Sequence, residues 1–121
     1  MIYGAHFLLY SQDPEADRAF FRDVLQFRSV ELGQGWLIFA LPPAELAVHP
    51  GELAQTHASQ SILGCVLYLM CTDLEATVQV LAGKGVSYSE IEQAPWGVKT
   101  TVRLPSGGAI GLYQPTHETA I

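Results

Sequence analysis

Positive charge is scarce in this sequence. Only six of its 121 residues are Lys or Arg, against twelve Asp or Glu, for a formal net charge of -6. No two cations are adjacent. Nucleic-acid binding rests on clustered cations, so nucleic acid is not an expected partner. Charged residues make up 15% and apolar residues 49%, which leaves the surface thinly charged and predicts a large buried interface with a second copy, a homodimer. Long apolar runs are absent too: none approaches the roughly 18 residues of a membrane span, and no basic stretch precedes the first apolar segment. Neither a membrane span nor a signal peptide is expected, and the expected location is the cytoplasm.

Cysteine is almost missing. Cys65 and Cys71 lie on one expected strand, roughly 20 Å apart at about 3.3 Å per residue, too far for a disulfide between them. They read as buried thiols. Missing as well are a phosphate-binding Gly-rich loop, a Gly-x-Ser-x-Gly elbow, a Cys-x-x-Cys pair and a His-Glu-x-x-His helix. Ser61, Ser87 and Ser89 have no evident base partner, so a nucleophilic hydrolase is not supported.

What the sequence does contain is one plan used twice. An apolar strand over Cys65–Cys71 leads to Asp73 as helix N-cap and a short amphipathic helix ending near Gly85. The stretch from Ala5 to Leu25 has the same grammar: a strand over His6–Tyr10, Asp13 as N-cap, and Pro14 at the first helical position, where its missing N–H costs nothing. The spacing of the two caps, about half the chain, implies two copies of one supersecondary unit rather than a solenoid.

In order along the chain, the helix Pro14–Leu25 turns Ala16, Ala19, Phe20 and Val24 inward and leaves Asp17, Arg18 and Arg22 for water. Gln26 stands where a C-cap glycine would be comfortable, so either it adopts a left-handed conformation or the helix ends differently. Further strands are predicted from Phe27 to Val30, from Trp36 to Leu41 after a Gly33–Gly35 turn, and from Glu45 to His49. Small and polar residues then form a linker over 51–63. The second unit has a helix Leu74–Ala82, strands Val86–Ile91 and Lys99–Leu104, a turn over Pro105–Gly108, and a last strand Ala109–Tyr113. The predicted organisation is a single α+β domain, with module one over 1–50, module two over 64–115, and a loose tail over 116–121.

The doubled β-α-β-β-β plan, with "DPEADRAFFRDVLQF", "DLEATVQVLAGKGV", "WGVKTTVRLPSGG" and the closing "IGLYQP", resembles the vicinal oxygen chelate superfamily of glyoxalase I, bleomycin-resistance proteins and extradiol dioxygenases. The resemblance covers nearly the whole chain. It implies two curved half-barrels around a shared cup, commonly with dimerisation. It leaves the activity open, because the fold hosts lyases, dioxygenases, epimerases, thiol transferases and simple binders.

The resemblance also implies where a divalent ion such as Zn, Ni, Mn or Fe would be held, through inward residues on the first and last strands of each module. His6 matches the first position. His49, or Glu45 of the same parity, stands near the second. The third falls on Val66, or on Cys65 if the strand slips by one, and the fourth, commonly glutamate, falls on Gly111, with Ala109 no better. Such ions want three or more protein donors, so the set is incomplete and no cofactor is expected. Glu45, Glu52 or a Cys65 thiolate would be needed to complete it. The missing glutamate removes a proton-transfer base as well.

In the geometry that the resemblance implies, strand parity brings Tyr10, Tyr68 and Met70 into the same cup, and Trp36, Trp96, Arg103 and Tyr113 join them as candidate ligand-binding residues. Read without the resemblance, the aromatics are core or interface residues, His6 and His49 are structural, and His57 and His117 are solvated. Arg103 either pairs with an anionic ligand or with Glu90 or Glu92 on the neighbouring strand. Trp96-Gly97 reads as a loop that closes over ligands. Three functions remain open: a metal-poor protein that binds or sequesters a small organic molecule, a metal-dependent lyase or dioxygenase using His6 and His49, and a non-catalytic interaction module.

Overall fold

Two aspartates start the two helices. Asp13 and Asp73 have extended backbones (φ -141 and -144), and their carboxylates accept the N–H of Ala16 at 3.1 Å and of Ala76 at 3.0 Å. Each satisfies a donor that the first helical turn leaves free. The molecule is described from a computed structural model, in residues 1, 3, 6–47 and 66–121. His49, Cys65 and the 51–63 linker lie outside the described residues.

Helix α1 spans Pro14–Ala19 and runs on into a π-wound turn, Phe20–Val24. Helix α2 spans Leu74–Gly83. The left-handed residues that follow them are Gln26 (φ 60) and Gly85 (φ 80). Gln26 lies thirteen residues beyond Asp13 and Gly85 twelve beyond Asp73. The first copy therefore carries one extra residue, and the π-turn absorbs it. Both alternatives foreseen for Gln26 occur together, and the rewound turn buries Phe21 beside Phe20.

Strands β1 (Ser29–Glu31) and β2 (Leu37–Phe39) form an antiparallel pair across the Gly33–Gly35 turn. The second module builds a four-stranded sheet from β3 (Tyr68–Met70), β4 (Glu92–Ala94), β5 (Gly97–Arg103) and β6 (Ala109–Pro115), in the order β3-β6-β5-β4. β3 runs parallel to β6 and the other pairs are antiparallel. On one face of this sheet Val102, Ile110 and Leu112 are buried in a common core with Leu74, Val78 and Leu81 of α2 and with Phe20 and Phe21. The opposite face carries the candidate site.

Several expectations change. The strand expected at Val86–Ile91 is reduced to a bridge between Tyr88 and Val102, and the ladder forms at Glu92–Ala94. A two-residue turn, Pro95-Trp96, sets that register, since Ala94 must oppose Gly97. Among the described residues, 6–10 and Glu45–Ala47 show no strand pairing. In the second module the first strand is held by the last, as β3 is by β6. The strand expected at Glu45–His49 ends outside the described residues. Asp17, expected in water, is 7% exposed and accepts the N–H (3.1 Å) and hydroxyl (2.7 Å) of Ser106, so α1 is pinned to the Pro105–Gly108 turn. No helix among the described residues is long and apolar enough to cross a membrane.

Candidate functional site

Alternation along β3, β5 and β6 sends Val98, Thr100, Val102, Ile110 and Leu112 toward the helices, and sends Lys99, Thr101, Arg103, Gly111, Tyr113, Tyr68 and Met70 the other way. Cross-strand register then builds rows on this open face. Glu92, Lys99, Tyr113 and Met70 form one row; Thr101, Gly111 and Tyr68 form the next.

Gly111 decides what the second row can be. A Cβ added there would overlap Cδ1 and Cε1 of Tyr68, so the phenol ring occupies the space a side chain at 111 would need. From that position Tyr68 meets Trp96 edge-on at 5.7 Å between centroids and Tyr113 at 5.6 Å. Trp96 and Tyr113 are 5.1 Å apart, also edge-on. Edge-to-face pairs of this kind contribute about 0.5–1.5 kcal/mol each beyond their buried area, so the three rings form a mutually supported platform. The Pro95-Trp96 turn brings Trp96 in, and the 3.0 Å hydrogen bond from Thr116 N–H to the Trp96 carbonyl holds it.

Polar groups surround the rings. The Tyr113 hydroxyl lies 3.1 Å from Met70 Sδ and 3.4 Å from Glu45 Oε1. Burial raises the Tyr113 phenol above its ordinary range, and the charge of Glu45 and its hydrogen bond raise it further. Burial, then the charge of Glu92, does the same for Tyr68. Lys99 Nζ sits 5.4 Å from the Trp96 ring centroid and 3.8 Å from Glu92. The segment Thr116–Ile121, expected to be loose, crosses this face: His117 stacks on Tyr113, and Ala120 donates its N–H to Glu45 Oε2 at 2.7 Å.

Of the seven ligand-binding candidates, the structure gathers Tyr68, Met70, Trp96 and Tyr113. Arg103 shares the face but donates to the Gly107 carbonyl at 3.0 Å, bracing its own turn; Glu92 is bound by Lys99 instead. Trp36 lies under the Arg18 guanidinium at 4.7 Å on the first module, and Tyr10 is 71% exposed. Sequence reading missed Glu45 as a polar contact of Tyr113. No local signal marks it, because the partners are 68 residues apart.

Of the expected metal positions, His49, Glu52 and Cys65 lie outside the described residues. His6 is exposed, position 111 has no side chain and is roofed by a phenol, and among the described residues no three His, Cys, Asp or Glu side chains converge. Burial raises the Cys71 thiol, disfavouring the thiolate a soft metal needs. The Ser89 hydroxyl is taken up by Thr100 and Thr101 at 3.0 Å each. A separate recess of about 420 Å³ opens on the helix-covered side, between the start of α2 and β4, lined by Asp73, Glu75, Gln93 and Gln114 among others.

No family model and no curated protein matches the sequence. Solved structures do match. TnmS3, an antibiotic binding protein from Streptomyces sp. CB03234, is 24% identical over 96% of this chain and 99% of its own, with a TM-score of 0.66. A lactoylglutathione lyase from Agrobacterium tumefaciens is 17% identical over 93% and 92%, TM-score 0.64. A member of the glyoxalase/bleomycin resistance protein/dioxygenase superfamily from Sphaerobacter thermophilus DSM 20745 is 20% identical over 93% and 98%, TM-score 0.58.

Proposed function

We propose that this chain, whose fold is that of glyoxalase/bleomycin resistance/dioxygenase proteins, binds a small, flat organic molecule on the open face of its second module and breaks no bond in it. One observation carries this reading: Tyr68 fills the space above Gly111 and, with Trp96 and Tyr113, makes an aromatic platform there. Affinity then comes from burying a planar ligand against rings that are already held in place. An aromatic platform with Met70 at its edge accepts varied flat shapes, as a sequestering protein requires. The structural likeness to an antibiotic binding protein supports the same reading.

In this reading the two modules curve around one cup, and the protein works as a cytoplasmic homodimer. The first module supports that proposal with large exposed apolar side chains, among them Leu8 at 68%, Val30 at 63%, Leu32 at 67% and Leu46 at 88%. A second copy would cover such side chains.

The test is equilibrium dialysis against acridine, a neutral flat tricycle, with and without a chelator. Saturable binding that ignores the chelator and is weakened at least tenfold by Tyr68→Ala is the expected result. Acridine that fails to bind, or binds equally well to Tyr68→Ala, would remove the platform from the account.

A further inference from the structure

The open face is already covered, by the protein itself. Thr116–Ile121 leaves β6, lays the His117 ring over Tyr113 (6.2 Å between centroids, 27° between planes) and ends with the Ala120 N–H on Glu45. Tyr113 is only 9% exposed as a result of its packed position under this segment and beside Tyr68 and Trp96. Glu45 receives two donors, Ala120 N–H on Oε2 at 2.7 Å and the Tyr113 hydroxyl on Oε1 at 3.4 Å, and His117 Nε2 lies 3.9 Å from Oε1. Its side chain keeps 19% of its exposure, so the carboxylate depends on those donors for much of its solvation.

We propose that Thr116–Ile121 is a strap that holds the ligand's place, that Glu45 is the polar anchor of the site, and that the natural ligand is a flat aromatic molecule carrying an N–H donor. The inference rests on the binding reading above. The strap presents a planar nitrogen heterocycle to Tyr113 and an N–H to Glu45, which together describe the ligand able to replace it. A carboxylate only accepts hydrogen bonds, so an anion in the same place would meet repulsion and leave Glu45 without a donor. Lys99, the cation nearest the rings, is already engaged by Glu92 and Trp96. Among the described residues the strap is held by one ring stack, one hydrogen bond to Glu45, the 3.9 Å approach of His117 Nε2 to that carboxylate, and the Thr116 bond to Trp96 at its root, contacts light enough for a ligand to displace.

The test compares two fluorescent probes on the full chain: 9-aminoacridine, a flat tricycle with an amine N–H, and 1-anilinonaphthalene-8-sulfonate, whose sulfonate is anionic. Glu45→Ala removes the anchor. The double variant His117→Ala, Ala120→Pro frees the strap while leaving Glu45 intact, since proline has no N–H to donate. We expect Glu45→Ala to weaken 9-aminoacridine at least tenfold and leave the sulfonate dye within about twofold, and the strap variant to tighten 9-aminoacridine at least fivefold. Unchanged 9-aminoacridine affinity in either variant would overturn the proposal. Tyr68→Ala separates the two claims. Binding that depends on Tyr68 but ignores Glu45 and the strap refutes this inference alone, and binding of neither dye in a Tyr68-dependent way refutes the platform with it.

Discussion

The ring of Tyr68 occupies the space that any side chain at Gly111 would need. β3 and β6 run parallel with these two residues in register, so neither can move without disturbing the ladder. Gly111→Ala forces Tyr68 off its site and loosens its contacts with Trp96 and Tyr113. The expected cost is about 2–3 kcal/mol, from overpacking plus two lost edge-to-face pairs. Urea unfolding checks this. In the double variant with Tyr68→Ala the two costs should not add, because the alanine methyl then has room. Strict additivity would contradict the contact.

The Asp17–Ser106 connection predicts a second, independent loss. Asp17→Ala strands the half-buried Ser106 N–H and hydroxyl, which costs about 1–3 kcal/mol, while Ser106→Ala leaves the backbone donor in place and costs about 1 kcal/mol. Equal and negligible effects on the urea midpoint would mean that α1 is not fixed to this turn.

Gln26 pays a steric penalty at φ 60 that Gly85 avoids in the second copy. A non-glycine residue in that region costs about 1–2 kcal/mol, and glycine's greater freedom in the unfolded chain returns about 0.5–1 kcal/mol of that. Gln26→Gly should therefore stabilise the protein by about 0.5–1 kcal/mol, measured as a rise in the urea midpoint at unchanged slope. A fall in the midpoint would show that the glutamine side chain contributes something the structure does not reveal.

Tyr113 and Tyr68 predict how stability responds to alkali. Their phenols ionise above the ordinary value of 10.0, chiefly because they are buried. As pH rises past that value the unfolded chain loses these protons first, so the folded state binds more protons than the unfolded one. Stability from this source is complete below about pH 10 and is lost as pH climbs through the folded values. Urea midpoints measured from about pH 8 to about pH 11 should fall at the alkaline end. The Tyr68→Phe, Tyr113→Phe variant should fall less steeply; an equal slope would put the loss elsewhere.

What could be read from the sequence was local or periodic. Asp13 and Asp73 announce their helices because a cap depends on the next three residues, and strand parity puts Tyr68 and Met70 on one face, whereas Tyr10, expected with them, is 71% exposed. Trp96-Gly97 reads from sequence as a loop that closes over ligands, and in the structure Trp96 completes a ring cluster from a two-residue turn. Contacts across long stretches of chain left no such mark. Helix periodicity turns Asp17 toward water, and only the turn 89 residues later makes it a buried acceptor. Glu45, 75 residues from Ala120, became visible as an anchor only once the strap was in view. The β4 register moved because Pro95-Trp96, rather than the apolar content of Val86–Ile91, sets where that hairpin turns.

The platform can be watched directly through Trp96, one of two tryptophans in the chain. With Trp36→Phe in place, the emission of Trp96 reports on the ring cluster alone. Titration with acridine should quench or shift that emission along a saturable curve with about one site per chain, unaffected by chelator and abolished by Tyr68→Ala. An emission that stays constant at saturating acridine, in protein that retains about one equivalent of metal per chain and loses it in His6→Ala, would contradict the account and assign the fold's metal chemistry to this chain instead.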